Sequence, residues 1–272
     1  MTAVLPSTAR PGRYRARHVA RFELAKILTL RSTAITLGLT VVACLLVTGL
    51  VAHAQLHQQF GPGFDPTQTS LSGMIPAALT GGVFGALIVT GEYASGTIRT
   101  TLAAAPRRAL LLAVKTGVTA VLLLVFFEVM SLATFFLGQA ILSGGTPTAS
   151  LGSPGAARAV LLTGAFVTLM ALLSFGFGLI FRSTAGAIAA FVGVVFVLPL
   201  VMHGISQAGV RYLPTSILTN SIMSTVSAAH VGPKGVAVGN LPLSPGVGLL
   251  LMVLYAAIAL AAGAVVFIRR DA

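Results

Sequence analysis

In a chain of 272 residues, hydrophobic side chains make up 56% and charged ones only 8%. Soluble domains carry about a quarter charged residues, so this chain cannot cover a water-facing surface and reads as an integral membrane protein. Seventeen Lys and Arg against five Asp and Glu, a formal net charge of +12, raise nucleic acid as a partner. That reading fails because the cations fall between long apolar runs instead of on one soluble face.

Residues 1–31 form a basic arm carrying Arg10, Arg13, Arg15, Arg17, Arg21, Lys26 and Arg31. It is only loosely amphipathic: Arg13, Arg17 and Arg21 make one stripe, and Glu23, Leu24 and Lys26 blur the opposite face. A spanning helix needs roughly 20 mostly apolar residues, and six stretches within 32–270 qualify: 33–52, 73–90, 110–137, 159–181, 185–202 and 246–268. None alternates with the period of a barrel strand, so an all-α bundle is expected. The single Cys44 lies in the first stretch and excludes an internal disulfide. The arm, the first apolar run and Ala52-His53-Ala54 have the look of a cleavable leader, but the run is too long for one and a retained span is expected. His53 and His57 stand four apart, with only Asp65 or His230 as further ligands on that side. Two polar residues at the water interface are expected there, and no metal site.

The third stretch exceeds what a bilayer requires and is expected to tilt or project. Pro199 is expected to kink the far end of the fifth or interrupt its ladder. Small residues four apart, Gly81 and Gly85, Ala189 and Gly193, Ala259 and Gly263, permit close helix approach. Basic residues set the orientation. The arm, the connection with Arg99, Arg107 and Arg108, then Lys115, Arg182 and the terminal Arg269 and Arg270 go inside, leaving only Arg158, Arg211 and Lys234 outside. Both termini are therefore expected to be cytoplasmic.

Catalytic signatures are missing. Lys234 in Gly232-Pro233-Lys234-Gly235 lacks the spacing and hydroxyl of a phosphate loop, and there is neither a nucleophile elbow nor a His-Glu-x-x-His helix. The chain reads as a non-enzyme that holds no nucleotide. Glu128 sits mid-run in the third stretch, where a carboxylate is costly and must face the bundle interior or a polar cavity. A substrate or proton contact and an interhelical hydrogen bond both fit. Lys115, 13 residues away on the same helix, about 20 Å at the helical rise, is too far to be its partner, and Arg158 is within consideration.

The most informative stretch is 91–108. It reads as an exit from the membrane at Gly91, a break at Gly96, and a short helix that Thr97 caps, with Ile98 and Leu102 on one face and Pro106 closing it. A stiff element fixed to two spans is a mechanical handle, while a merely topological basic loop remains open on physics alone.

Glu92-Tyr93, Gly96-Thr97-Ile98-Arg99-Thr100-Thr101-Leu102 and Pro106-Arg107-Arg108 resemble the first cytoplasmic loop of ABC-2 type permeases, especially actinobacterial exporters. The layout of arm, six spans and a long last outer loop, 203–245, is similar too. There Tyr212-Leu213-Pro214 and a helix-like 215–227 resemble the family's re-entrant outer segment. The resemblance implies that 91–108 is a coupling helix docking into a separately encoded ATPase. It further implies that the arm around 13–30 is a connecting helix and that Arg182-Ser183-Thr184 is a second inner contact. Two ATPase copies with ATP and Mg would join two permeases, as a homodimer or a paired heterodimer, in the lipid of a bacterial plasma membrane. Spans two and five would line the path of a hydrophobic or amphiphilic cargo, with no cofactor in this chain. Two rivals stand beside this reading. One is an ion- or proton-coupled secondary transporter using Glu128, expected to show inverted repeats. The other is a membrane hydrolase, for which five acids in all are too few.

Overall fold

A computed structural model describes residues 16–56, 64–98, 108–224 and 243–269, and among these it is all α-helical. The elements are α1 (Ala16–Thr29), α2 (Arg31–Gln55), α3 (Pro66–Leu71), α4 (Met74–Ala94), α5 (Arg108–Leu142), α6 (Ala156–Phe181) and α7 (Thr184–Val192). A π-helical turn (Gly193–Val197) follows, then α8 (Leu198–Ile205), α9 (Gln207–Val210), α10 (Pro214–Ser221) and α11 (Pro245–Arg269). Six helices are long and apolar enough to cross a membrane: Arg31–Gln55, Pro66–Ala94, Arg108–Leu142, Ala156–Phe181, Thr184–Ile205 and Pro245–Arg269.

The fourth of these is the hub. In its apolar window 72% of residues are buried, against 17% in the first, so α6 is wrapped by protein while α2 turns most of its surface outward. α4, α5 and α11 pack directly on α6, with α2 laid against α4 and α5. Small residues set the approach. A Cβ on Gly85 would strike the Ala171 carbonyl, and one on Gly263 would come within 2.7 Å of the Leu179 Cβ, so α4 and α11 meet α6 nearly backbone to backbone. The pair Ala189 and Gly193 does not act this way, because Gly193 faces open space.

The two ends of the bundle are finished differently. At one end α1 packs on α2 and α5 and buries Val19, Glu23 and Ile27. At the other, Asp65 starts α3 by accepting from the Thr67 and Gln68 amides (2.9 and 3.2 Å), with Pro66 in the first turn. The same carboxylate accepts from the Ser224 amide and hydroxyl (2.7 and 3.0 Å). Gln139 of α5 donates to Ser70 and to the Pro66 carbonyl.

Pro199 has the expected effect through a local cause. Lacking an N–H, it cannot bond the carbonyl four residues back, that of Val195, and the preceding residues wind as a π turn. The Thr215 hydroxyl of α10 donates to the Val195 carbonyl. Thus α10, which packs on α6 and α11, is also pinned to the interrupted helix.

Candidate functional site

The sequence reading ends the second span at residue 90 and places the membrane exit at Gly91; the helix itself runs on to Ala94, and Ser95 caps it by bonding back to Gly91. That extra turn carries Glu92 into the protein, with 7% of its surface exposed. A carboxylate so placed needs counter-charge, and it has two: the Lys26 ammonium of α1 and the Lys115 ammonium of α5 both bond to Glu92 Oε1.

Glu23 closes the set. It is fully buried, one turn from Lys26 on α1, and takes Lys26 Nζ at 3.1 Å on Oε1 and Lys115 Nζ at 3.2 Å on Oε2. Two carboxylates and two ammoniums thus balance in one cluster contributed by α1, α4 and α5. Burial works against the Lys26 charge, yet the Glu92 and Glu23 carboxylates outweigh it and hold that ammonium above its ordinary pKa. The apparent blurring of the arm's amphipathic pattern by Glu23 and Lys26 is this pairing: the two charges point inward.

Beneath the ionic cluster lies an apolar one of Val19, Val89, Ile98, Leu111, Leu112, Phe175, Leu179 and Phe267. Ile98 is buried there, so the first turn after the Gly96 break is seated on the bundle. Gly96 has φ +71°, a conformation that favours glycine. The Thr97 and Ser95 hydroxyls lie 2.9 Å apart across it. Arg108 opens α5. Arg99, Thr100, Thr101, Leu102, Pro106 and Arg107 lie outside the described residues, as do His57, His230 and Lys234.

Tyr93 faces the other way. The Arg182 guanidinium sits over its ring, 5.4 Å from the centroid, and donates to the Val266 carbonyl of α11. Arg182 itself has φ +54° where the chain turns from α6 into α7, and Thr184 donates to Thr90 at 2.8 Å. The last turn of α4 is therefore held on one side by α1 and α5 and on the other by the α6–α7 turn and α11.

Glu128 lies apart from this site. Its carboxyl packs against α6, where a Cβ on Gly164 would come within 2.7 Å of it, and its buried Oε2 has no hydrogen-bond partner among the described residues. Arg158 is not its partner. That guanidinium is committed to the Met223 and Ser224 carbonyls, at 3.3 and 2.9 Å. His53 falls in the last turn of α2, and no three His, Cys, Asp or Glu side chains gather among the described residues.

Sequence reasoning singled out Glu92 but missed Glu23, Lys26 and Lys115 as its company. A signal was present: a lysine just inside one span and a glutamate at the end of the preceding one, of opposite sign and at one depth beside a short connection.

A family model described as ABC-2 family transporter protein matches residues 46–272. No curated protein matches the chain. The matched region contains Glu92 and Lys115 and begins after Glu23 and Lys26.

Proposed function

The chain belongs to the ABC-2 transporter family, and from that premise we propose that it is the permease subunit of an ATP-driven exporter. Members of this family work with ABC ATPases. In this reading two ATPase copies, carrying ATP and Mg, engage two permeases. The loop from Glu92 to Arg108 is the handle that each ATPase grips, and the termini lie on the same, cytoplasmic side. The segment around α10, facing the far side, acts as a re-entrant lid.

The single observation that carries the proposal is the buried cluster of Glu23, Lys26, Glu92 and Lys115 directly at the base of that loop. A push on a frayed loop would dissipate. Here the loop's first helical turn after the break is seated through Ile98, and the preceding turn is clamped to α1 and α5, so displacement of the loop carries three helices together. Tyr93 and Arg182 extend the same rigid contact to α6 and α11. Transport then requires that nucleotide and cargo each favour one of two arrangements of these helices. A hydrophobic or amphiphilic cargo fits the apolar lining that such a path between spans would have.

The test is co-expression with a candidate ABC ATPase subunit from the same organism, followed by purification through a tag on the permease. A stoichiometric complex whose ATP hydrolysis depends on the permease supports the proposal. A permease that purifies alone and transports on an ion gradient would favour the coupled secondary transporter, for which the unpartnered Glu128 oxygen is the one supporting observation.

A further inference from the structure

A second feature of the α1 end is a cavity that the ionic cluster only borders. It holds about 350 Å³ and lies between the α1–α2 junction and α4, at the lower end of the roughly 300–1,000 Å³ usual for ligand sites. Its walls are of two kinds. Ile27, Leu30, Phe84, Leu87 and Ile88 make one part apolar, whereas Lys26, Ser32, Ser95 and Thr97 make the other polar. Along α4 it runs from Ser95 to Phe84, about 16 Å at the helical rise. That is about half of a 30 Å hydrocarbon core, or one leaflet.

The charge at the polar end favours an anion. The Lys26 ammonium lines the cavity and keeps 23% of its side chain exposed. Glu92 lines it as well and is paired in the same neutral cluster, but Lys26 is the more exposed of the two, 23% against 9%, and its ammonium has a third N–H beyond those given to Glu23 and Glu92. The 25-residue α2 begins at this point, and its N-cap, Leu30, supplies no side-chain hydrogen bond. The first N–H groups of a helix have no acceptor within it and carry the positive end of its dipole. A polar, positive end at the membrane boundary above an apolar channel one leaflet deep matches the anatomy of a phospholipid.

We propose that this cavity binds one anionic phospholipid of the bilayer, its phosphate at Lys26 and the start of α2, and an acyl chain along Phe84, Leu87 and Ile88. The site does not depend on the ATPase reading: it would bind lipid in the isolated chain.

The test uses the full-length chain in a neutral detergent, titrated with phosphatidylglycerol or with phosphatidylcholine of the same acyl chains, with bound lipid counted by native mass spectrometry. Two variants probe the two walls. Gly91→Phe fills the cavity, since Gly91 lines it and a Cβ there meets nothing within 4 Å. Ser32→Asp puts a carboxylate in the first turn of α2, which suits the helix dipole and so preserves the fold, but repels a phosphate. The expected result is about fivefold tighter binding of phosphatidylglycerol, the scale of one basic residue at an anionic surface. That preference should be lost in Ser32→Asp, and binding of either lipid lost in Gly91→Phe, with melting temperatures unchanged. Equal binding of the two lipids by the parent chain, or undiminished phosphatidylglycerol binding by both variants, would overturn the proposal. So would displacement of the lipid by soluble glycerol phosphate at matching concentration, because the acyl chain would then contribute nothing.

Discussion

Lys115, two turns into α5, reaches back to the Glu92 carboxylate in the last turn of α4, and both side chains are almost wholly buried. The two helices that enter and leave the loop are thereby locked together at its root. Glu23 and Lys26 then lock α1 to both. The cluster is neutral as a whole, and this governs how it responds to substitution. Removing one member strands an opposite charge in a buried place, at a cost of about 3–5 kcal/mol, whereas removing a pair strands none.

Glu92→Gln and Lys115→Met are therefore each expected to lower the melting temperature of the purified chain. The double variant should lose less than the sum, with a coupling of roughly 1–3 kcal/mol. Thermal unfolding in detergent measures this directly. Strictly additive losses would mean that the two charges do not depend on each other.

The interrupted helix before α8 gives an independent test of a polar contact. Thr215→Val removes the hydroxyl that serves the Val195 carbonyl and is expected to cost about 1–2 kcal/mol, the penalty for an orphaned buried acceptor. Pro199→Ala restores an N–H to the same carbonyl, so Thr215→Val should be nearly silent in that background. An equal loss with and without Pro199 would refute the assignment.

At the opposite end, Asp65 does two jobs: it caps α3 and it holds Ser224. Asp65→Ala should speed amide hydrogen exchange in both 66–71 and 214–224, while removing about 1 kcal/mol of cap. Ser224→Ala, which keeps the cap and one of the two bonds, should affect only the second segment. Equal exchange in both variants would show that the two ends are not joined through this carboxylate.

Close packing of α4 on α6 predicts a contrast between glycines. Gly85→Ala must displace the Ala171 backbone and should sharply lower the yield of folded protein. Gly117→Ala, on the open side of α5 with nothing within 4 Å, should be neutral or gain up to about 1 kcal/mol from the better helix former.

The six spans were readable from sequence because each is a long apolar run, a signal carried within some 20 neighbouring residues. The ionic cluster was not, because three of its four pairs join residues 23, 66 and 92 positions apart, and only Glu23 with Lys26, one turn apart, is a local pair. The same gap suggested Arg158 for Glu128, when the nearer demand on that guanidinium is the carbonyl pair at Met223 and Ser224. Pro199, by contrast, was readable, since a missing N–H is a property of the residue itself.

The most direct test of the central claim, that the root of the 91–108 loop transmits the ATPase stroke, is made at Gly96. Its φ of +71° and open surroundings mean that Gly96→Leu strains the loop's turn without disturbing the core. Thr97→Pro is less informative, because proline is tolerated where a helix begins. The measurement is ATP hydrolysis and transport by the assembled complex in liposomes. The account predicts that Gly96→Leu complexes assemble in full, yet lose most transport per ATP hydrolysed. Unchanged transport per ATP in a fully assembled Gly96→Leu complex would contradict it.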